Sequence, residues 1–137
     1  MLREAGAGSA HEAEEGRVTQ LIVIPNWLPA AIANGAHGHW GDKAEKLAEG
    51  RQLAHTYARF FGVQPIAGKA RLTAEFVFPE RRRRDADNLT ARLKGVIDGL
   101  RDAKVLADDD TDHLEIAVKA TVVPGTRELR LTLTEAE

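Results

Sequence analysis

The densest charge in the chain is the stretch 81–88, which reads RRRRDADN and joins four arginines to two aspartates one residue apart. Guanidinium groups bind phosphate oxygens in a bidentate manner, and carboxylates bind hard divalent cations such as Mg²⁺. A site that holds a polyanion and a metal ion together needs both kinds of group. The alternative is a solvated or internally paired charged surface, which is the commoner origin of an arginine run taken alone.

A second acidic cluster, Asp108–Asp110, follows further along the chain. If one of its carboxylates converges with Asp85 and Asp87, the three form a ligand set that suits Mg²⁺, which activates water and stabilises charge on a phosphodiester during in-line attack. A nearby lysine would stabilise the transition state or the leaving oxygen. Taken alone, an acidic run of this kind is more often a polar turn.

The elements that must position these residues follow the order β-α-β-α-β-β. Alternating or β-branched runs predict four strands, at residues 18–25, 68–79, 113–123 and 129–133. Helices are predicted at 42–61 and from Asp85 or Asp87 to about Lys104, and the turn 123–127 predicts that the last two strands form a hairpin. A small mixed four-stranded sheet packed with two helices, a two-layer α+β fold, is the economical arrangement.

The predicted second helix sets the geometry of the acids. Asp85 and Asp87 come where a strand ends and this helix begins, and a continuous helix presents Asp87, Lys94 and Asp98 on the side opposite its apolar stripe. Lys94 and Asp98 are also spaced as an ordinary i,i+4 salt bridge. A helix of about 17 residues is roughly 25 Å long. Asp109 therefore approaches Asp85 and Asp87 only if the chain folds back or a second subunit supplies it.

Composition limits the class of protein. The chain has 137 residues, a formal net charge of -2 and no cysteine, which excludes disulfides and thiolate metal sites and favours a reducing cytoplasm. No apolar run approaches the roughly 20 residues that span a bilayer. We expect residues 1–16 to be a disordered N-terminal segment and residues 17–137 to form a single domain.

The motif as a whole resembles a known family. The stretch FVFPERRRRDADNLTARLKGVIDGLRDAKVLADDD (76–110) is similar to the core motif of the RusA family of Holliday junction resolvases. That motif is a strand ending in proline, R-D-x-D-N-L, a lysine, a hydrophobic-D-x-L step and a distal pair of aspartates. The resemblance is strong over about residues 70–116 and weaker in the upstream loop IPNWLPAAIANGAHGHW.

The resemblance implies a RusA-like fold and a homodimeric, Mg²⁺-dependent endodeoxyribonuclease, with Mn²⁺ as the alternative ion. Such enzymes cut four-way DNA junctions by paired symmetrical nicks during DNA recombination and repair. Many members are encoded by phages or prophages, so the expected location is the bacterial cytoplasm, with no membrane partner.

Roles carry over by position in the motif. Asp85, Asp87 and Asp109 match the catalytic metal ligands, and Lys94 matches the functional lysine, about one helical turn further from Asp87 than in the commonest family spacing. The expected DNA-binding residues are Arg81, Arg82, Arg83 and Arg84. The expected supporting residues are Asn88, Asp98 and Asp108.

Two other functions stay open at this point. The chain could be a non-catalytic branched-DNA-binding protein whose acids serve only structure, or a dimeric partner protein without DNA affinity. All the motif acids are present, which favours the enzyme. Cutting in Mg²⁺ separates the enzyme from the binder, and salt-dependent DNA affinity separates both from the partner protein.

Overall fold

The computed structural model describes residues 11–12, 18–31, 40–81, 86–107 and 113–136, with backbone alone for residues 11, 12, 40–42, 86 and 87. Its elements are β1 (His11–Glu12), β2 (Val18–Pro25), α1 (Trp40–Phe60), β3 (Ala70–Phe78), α2 (Ala86–Ala91), α3 (Lys94–Asp102), β4 (Leu114–Val122) and β5 (Glu128–Glu135).

The sheet has the strand order β1-β2-β5-β3-β4. β5 pairs antiparallel with both β2 and β3, whereas β3 and β4 are parallel. The parallel register sets Ala70 opposite Leu114 and Phe78 opposite Val122. The main sheet is therefore mixed and four-stranded, as the sequence predicts, with the two-residue β1 beside β2.

The predicted hairpin between the last two strands is wrong. The turn itself forms, with the Val123 carbonyl accepting from the Thr126 N–H at 3.0 Å and Gly125 at φ 78°. However, β4 and β5 lie on opposite sides of β3. Leu129, Leu131 and Leu133 of β5 are fully buried, whereas most of β4 is exposed or half-buried. Burial therefore places β5 inside the sheet and β4 at its edge.

The predicted second helix is divided into α2 and α3, so the described chain has three helices where two were expected. At the junction the Arg92 N–H points between the carbonyls of Asn88 and Leu89, at 3.3 and 3.1 Å, and the Leu93 N–H donates to the Thr90 carbonyl at 3.0 Å. These tightened i to i-3 bonds interrupt the α-helix. Leu89 and Leu93, on either side of the break, are both buried in the core.

One layer of helices covers one face of the sheet. Ile22, Leu72, Phe76 and Leu131 alternate along their strands and join a single buried cluster with helix residues such as Val96. The opposite face carries half-buried polar side chains, including Thr73, Glu75, Arg130 and Thr132. This arrangement confirms a two-layer α+β fold.

α1 and α3 approach each other backbone to backbone. A Cβ added at Gly95 would lie 2.5 Å from the Leu47 carbonyl oxygen, and one added at Gly99 would lie closer still to the Arg51 carbonyl oxygen. Side chains at these two positions would therefore force the helices apart. Because Gly95 and Gly99 are four residues apart, they lie on the same face of α3.

The domain boundaries of the sequence prediction lie largely outside the described residues. Within the segment 1–16, only His11–Glu12 is described, and these two residues pair with Thr19 and Val18 of β2. The disorder of that segment stays a prediction. None of the described helices combines the length and the apolar character that crossing a membrane requires.

Candidate functional site

The RRRRDADN motif begins at the carboxyl end of β3. β3 ends at Phe78 and α2 begins at Ala86, so the predicted junction of strand and helix is present. Arg81 is exposed on this connection, and the backbone of Asp87 lies in the first turn of α2. Arg82, Arg83, Arg84 and Asp85 lie outside the described residues, as does the side chain of Asp87.

His113, the first described residue after the distal acids, lies at the other end of β3. Asp108 and Asp109 lie outside the described residues, between Ala107 and His113. The carbonyl of His113 accepts from the Ala70 N–H at 2.9 Å, at the start of β3. β3 has nine residues, and the eight steps from the first to the last, at about 3.3 Å each, separate its two ends by roughly 26 Å. The described flanks of the two acidic segments are therefore attached at opposite ends of one strand.

Three further residues from the sequence prediction are described. Asn88 is exposed and its Oδ1 accepts from Arg92 Nε at 3.0 Å, which supports the turn between α2 and α3. Lys94 is the first residue of α3, and its Nζ lies 3.9 Å from Asp98 Oδ2. The Lys94 side chain is 65% exposed, whereas that of Asp98 is 21% exposed. The Lys94 ammonium is thus available to an anionic ligand at the surface.

A polar cleft of about 750 Å³ opens at the carboxyl end of α3. Its charged lining residues are Arg51, Asp98, Arg101, Asp102 and Lys104. Arg101 Nη1 lies 3.6 Å from Asp98 Oδ1. The lining also reaches Ala107, the residue before Asp108 in the chain. The cleft therefore adjoins the distal acidic segment and has one more cation than anion.

Arg51 and Asp102 join α1 to α3 across this cleft. The Arg51 guanidinium donates to both carboxylate oxygens of Asp102, with Nη2 2.9 Å from Oδ1. These hydrogen bonds lower the pKa of the Asp102 carboxyl below its ordinary value, and they raise the pKa of Arg51. The pair fixes the two helices at the wall of the cleft.

This pairing predicts an acid-sensitive contribution to stability. The folded pKa of Asp102 is lowered, so the contribution is present above the unfolded pKa of about 3.9 and is lost as pH falls through the folded pKa. We expect Asp102→Asn to lower the melting temperature at neutral pH, with a difference from wild type that shrinks below about pH 4. An Arg51→Gln background should abolish this pH-dependent difference. If the difference in melting temperature between wild type and Asp102→Asn stayed constant from pH 7 to pH 3, the Arg51–Asp102 pair would not be its cause.

Lys104 stands in a backbone conformation that usually selects glycine. Its φ is 66°, and it follows α3 in a Schellman motif in which the Val105 N–H donates to the Leu100 carbonyl and the Lys104 N–H to the Arg101 carbonyl. Gly62 occupies the equivalent position after α1, at φ 66°. The lysine carries the conformational cost that Gly62 avoids, while its side chain adds a cation to the cleft.

Within the described ranges no three histidine or acidic side chains come together as a metal site. The predicted ligands Asp85 and Asp109 are outside those ranges, and the side chain of Asp87 is not described. The ligand chemistry is consistent with Mg²⁺, because every predicted ligand is a carboxylate.

The convergence of the cleft cations is the feature that the sequence did not predict. Arg51 and Asp102 are 51 positions apart, and no local pattern links residues so distant in the chain. Arg101 lies in the last turn of α3, and Lys104 follows the helix. Their convergence depends on the close packing of α1 against α3.

Comparisons with known proteins leave the family of the chain open. No protein-family model matches it. An uncharacterized protein of Xylella fastidiosa is 30% identical over 93 residues, which are 65% of this chain and 60% of that protein. The chain therefore spans less than two-thirds of that relative.

Among solved structures, the chain matches part of the thiamine monophosphate kinase from Aquifex aeolicus. The two chains are 10% identical in sequence. The match covers 98% of this chain and 38% of the kinase chain, with a TM-score of 0.43. A likeness at that TM-score carries no argument about function. The function must therefore be argued from the site.

Proposed function

We propose that the protein is a Mg²⁺-dependent, structure-specific DNA endonuclease of the RusA type that resolves four-way junctions by paired symmetrical nicks. The observation that carries the proposal is the position of R-D-x-D-N-L at the junction between β3 and α2. Polar residues at a strand end converge on one point more readily than residues spread along a helix. An arginine run in this place brings phosphates to the acids.

The separation of the acidic segments supports a site shared by two subunits. Their described flanks lie at opposite ends of β3, roughly 26 Å apart by the strand rise. The division of the predicted second helix into α2 and α3 leaves this separation unchanged, because the separation is set by the length of β3. We therefore infer that Asp109 of one subunit completes the site that Asp85 and Asp87 begin in the other, within a homodimer.

The proposed roles follow from side-chain chemistry. Asp85, Asp87 and Asp109 would hold the ion, which supplies an activated water and charge stabilisation when bound. Lys94, exposed at the start of α3, would donate to a phosphate oxygen as negative charge develops. Arg81 to Arg84 would bind the flanking phosphates, since guanidinium matches phosphate geometry.

One prediction concerns the arginine run. Arg83→Ala should weaken junction binding and reduce the slope of log affinity against log salt by about 1, because one phosphate contact is lost. Arg83→Lys keeps the charge but loses the bidentate geometry, so it should weaken binding while retaining the slope. Binding of a labelled junction in chelator, over a salt series, measures both. An unchanged salt slope in Arg83→Ala would show that the arginine run faces solvent and does not contact DNA phosphates.

The test of function is cleavage of a labelled synthetic four-way junction beside linear duplex of the same sequence. We expect symmetrical nicks on the junction in Mg²⁺, and neither cutting in chelator nor comparable cutting of the duplex. Tight junction binding without cutting in Mg²⁺ or Mn²⁺ would instead identify a non-catalytic branched-DNA-binding protein.

A further inference from the structure

β4 is a nine-residue edge strand with an uncovered apolar stripe. Ile116 and Val122 are 38% and 39% exposed, whereas their neighbours in β3, Leu72 and Phe78, are buried. The helix layer thus covers β3 but leaves much of β4 open. In the described part of the chain, no strand pairs with the outer edge of β4. Long edge strands of this kind are usually protected or paired.

The hydrogen bonds at both ends of β4 show which backbone groups face outward. The carbonyl of His113 accepts from Ala70, and the N–H of Val123 donates to Phe78, each at 2.9 Å. In a pair of parallel strands, every second residue of one strand hydrogen-bonds the other strand. The odd-numbered residues of β4 therefore hydrogen-bond β3. The even-numbered residues from Leu114 to Val122 therefore direct N–H and C=O groups toward the free edge.

We propose that a second copy of the chain pairs antiparallel with β4, about a two-fold axis at Ala117. This register opposes even-numbered residues to even-numbered residues, as the outward hydrogen bonds require. It also places Glu115 opposite Lys119 of the other copy, twice in each dimer. On the helix-facing side it sets Ile116 opposite Val118, which continues the apolar stripe across the two-fold axis.

Neighbouring registers lack this complementarity. Centring the axis on Glu115 or Lys119 opposes like charges, and like charges directly opposite are destabilising. Centring it on Ile116 or Val118 leaves Glu115 and Lys119 without an oppositely charged residue in the other copy. In its own chain Glu115 keeps its ion pairs with Arg71 and Lys69, at 3.0 and 3.5 Å. The sequence of β4, LEIAVKATV, is therefore self-complementary about Ala117, which argues for a second copy over an unrelated strand.

The pairing rests on β4 alone and does not require the nuclease function. It does have a consequence for the proposed shared site. An antiparallel pair sets the start of one β4 beside the end of the other, and the end of β4 lies beside Phe78 of β3. His113, the first described residue after the distal acidic segment, thereby comes opposite Thr121 of the other copy, whose neighbour in β3 is Val77.

Charge exchange tests the interface. Wild type should have twice the 15.0 kDa mass of the chain by light scattering and sedimentation. Lys119→Glu and Glu115→Lys each oppose like charges, so each should raise the dissociation constant of the dimer at least about tenfold. Because Glu115→Lys also removes the ion pairs of Glu115 with Arg71 and Lys69, the melting temperature of each variant is measured alongside. An equimolar mixture of the two variants opposes unlike charges at both positions and should restore the dimer.

A second variant separates loss of pairing from loss of folding. Ile116 directs its N–H outward, so Ile116→Pro leaves the bonds to β3 intact while removing an interchain donor. We expect a folded monomer. A wild-type monomer at all concentrations, or a dimer that neither Lys119→Glu nor Ile116→Pro weakens, overturns the proposal.

The junction-cleavage assay on the same samples keeps the two proposals apart. Loss of dimer mass in the β4 variants supports the interface even if wild type fails to cut any junction. Cleavage by wild type, with dimer mass unchanged in the β4 variants, retains the nuclease and rejects this interface.

Discussion

Asp87→Asn is expected to reduce cleavage of a four-way junction by at least roughly a hundredfold in Mg²⁺, because a lost metal ligand removes several kcal/mol of transition-state stabilisation. Junction binding should be retained or tightened, since a negative charge leaves the phosphate site. Initial rates of strand nicking and binding in chelator measure the two effects separately. The combination of lost cutting and retained binding distinguishes a catalytic role from a structural one.

The matched control is Glu49→Gln, which neutralises an exposed acid on α1. It should cut at close to the wild-type rate. If Asp87→Asn also cut at the wild-type rate, the assignment of the metal site to this motif would be wrong. Partial recovery of Asp87→Asn in Mn²⁺ would keep the assignment and identify weakened ion binding as the cause.

Gly99→Ala should be among the most damaging small substitutions in the chain. The added Cβ would overlap the Arg51 carbonyl oxygen and lie 2.9 Å from the Ala54 Cβ. Backbone atoms cannot move aside as a flexible side chain can, so α1 and α3 must separate. Overpacking of this kind costs about 3 kcal/mol. Denaturant unfolding should show a lower midpoint, and the Arg51–Asp102 pair that crosses the same interface should weaken with it.

Gly50→Ala provides the matched comparison. Gly50 is also a buried helix glycine at this interface, but an added Cβ would meet nothing nearer than 3.6 Å. Alanine is favoured over glycine in a helix by about 1 kcal/mol. We therefore expect Gly50→Ala to be neutral or stabilising. Equal destabilisation by Gly50→Ala and Gly99→Ala would show that the close approach of α1 and α3 at Gly99 does not cause the loss of stability.

The local elements could be predicted from the sequence because their signals are local. Alternation over 68–79 correctly marks β3, and Leu72, Ala74 and Phe76 are all buried. The first helix was predicted to end at residue 61, and Gly62 occupies the left-handed position that follows the observed helix. The junction between strand and helix at the arginine motif was likewise predictable. In each case the signal lies within a few residues of the feature.

The tertiary structure decided what those signals could not. The turn at 123–127 predicts a chain reversal but not a partner strand, and burial of Leu129, Leu131 and Leu133 places β5 between β2 and β3. The structure also divides the predicted second helix between Ala91 and Lys94.

The sequence by itself determined the four main strands, the first helix and the residue types of the arginine motif, since side-chain periodicity and residue type are local properties. Only the tertiary structure brought Arg51 to Asp102 and attached the flanks of the two acidic segments to opposite ends of β3. The physical reason is that strand order and helix contact are set by burial among residues far apart in the chain. That burial left β4 at the edge, where a second copy completes the sheet in our proposal.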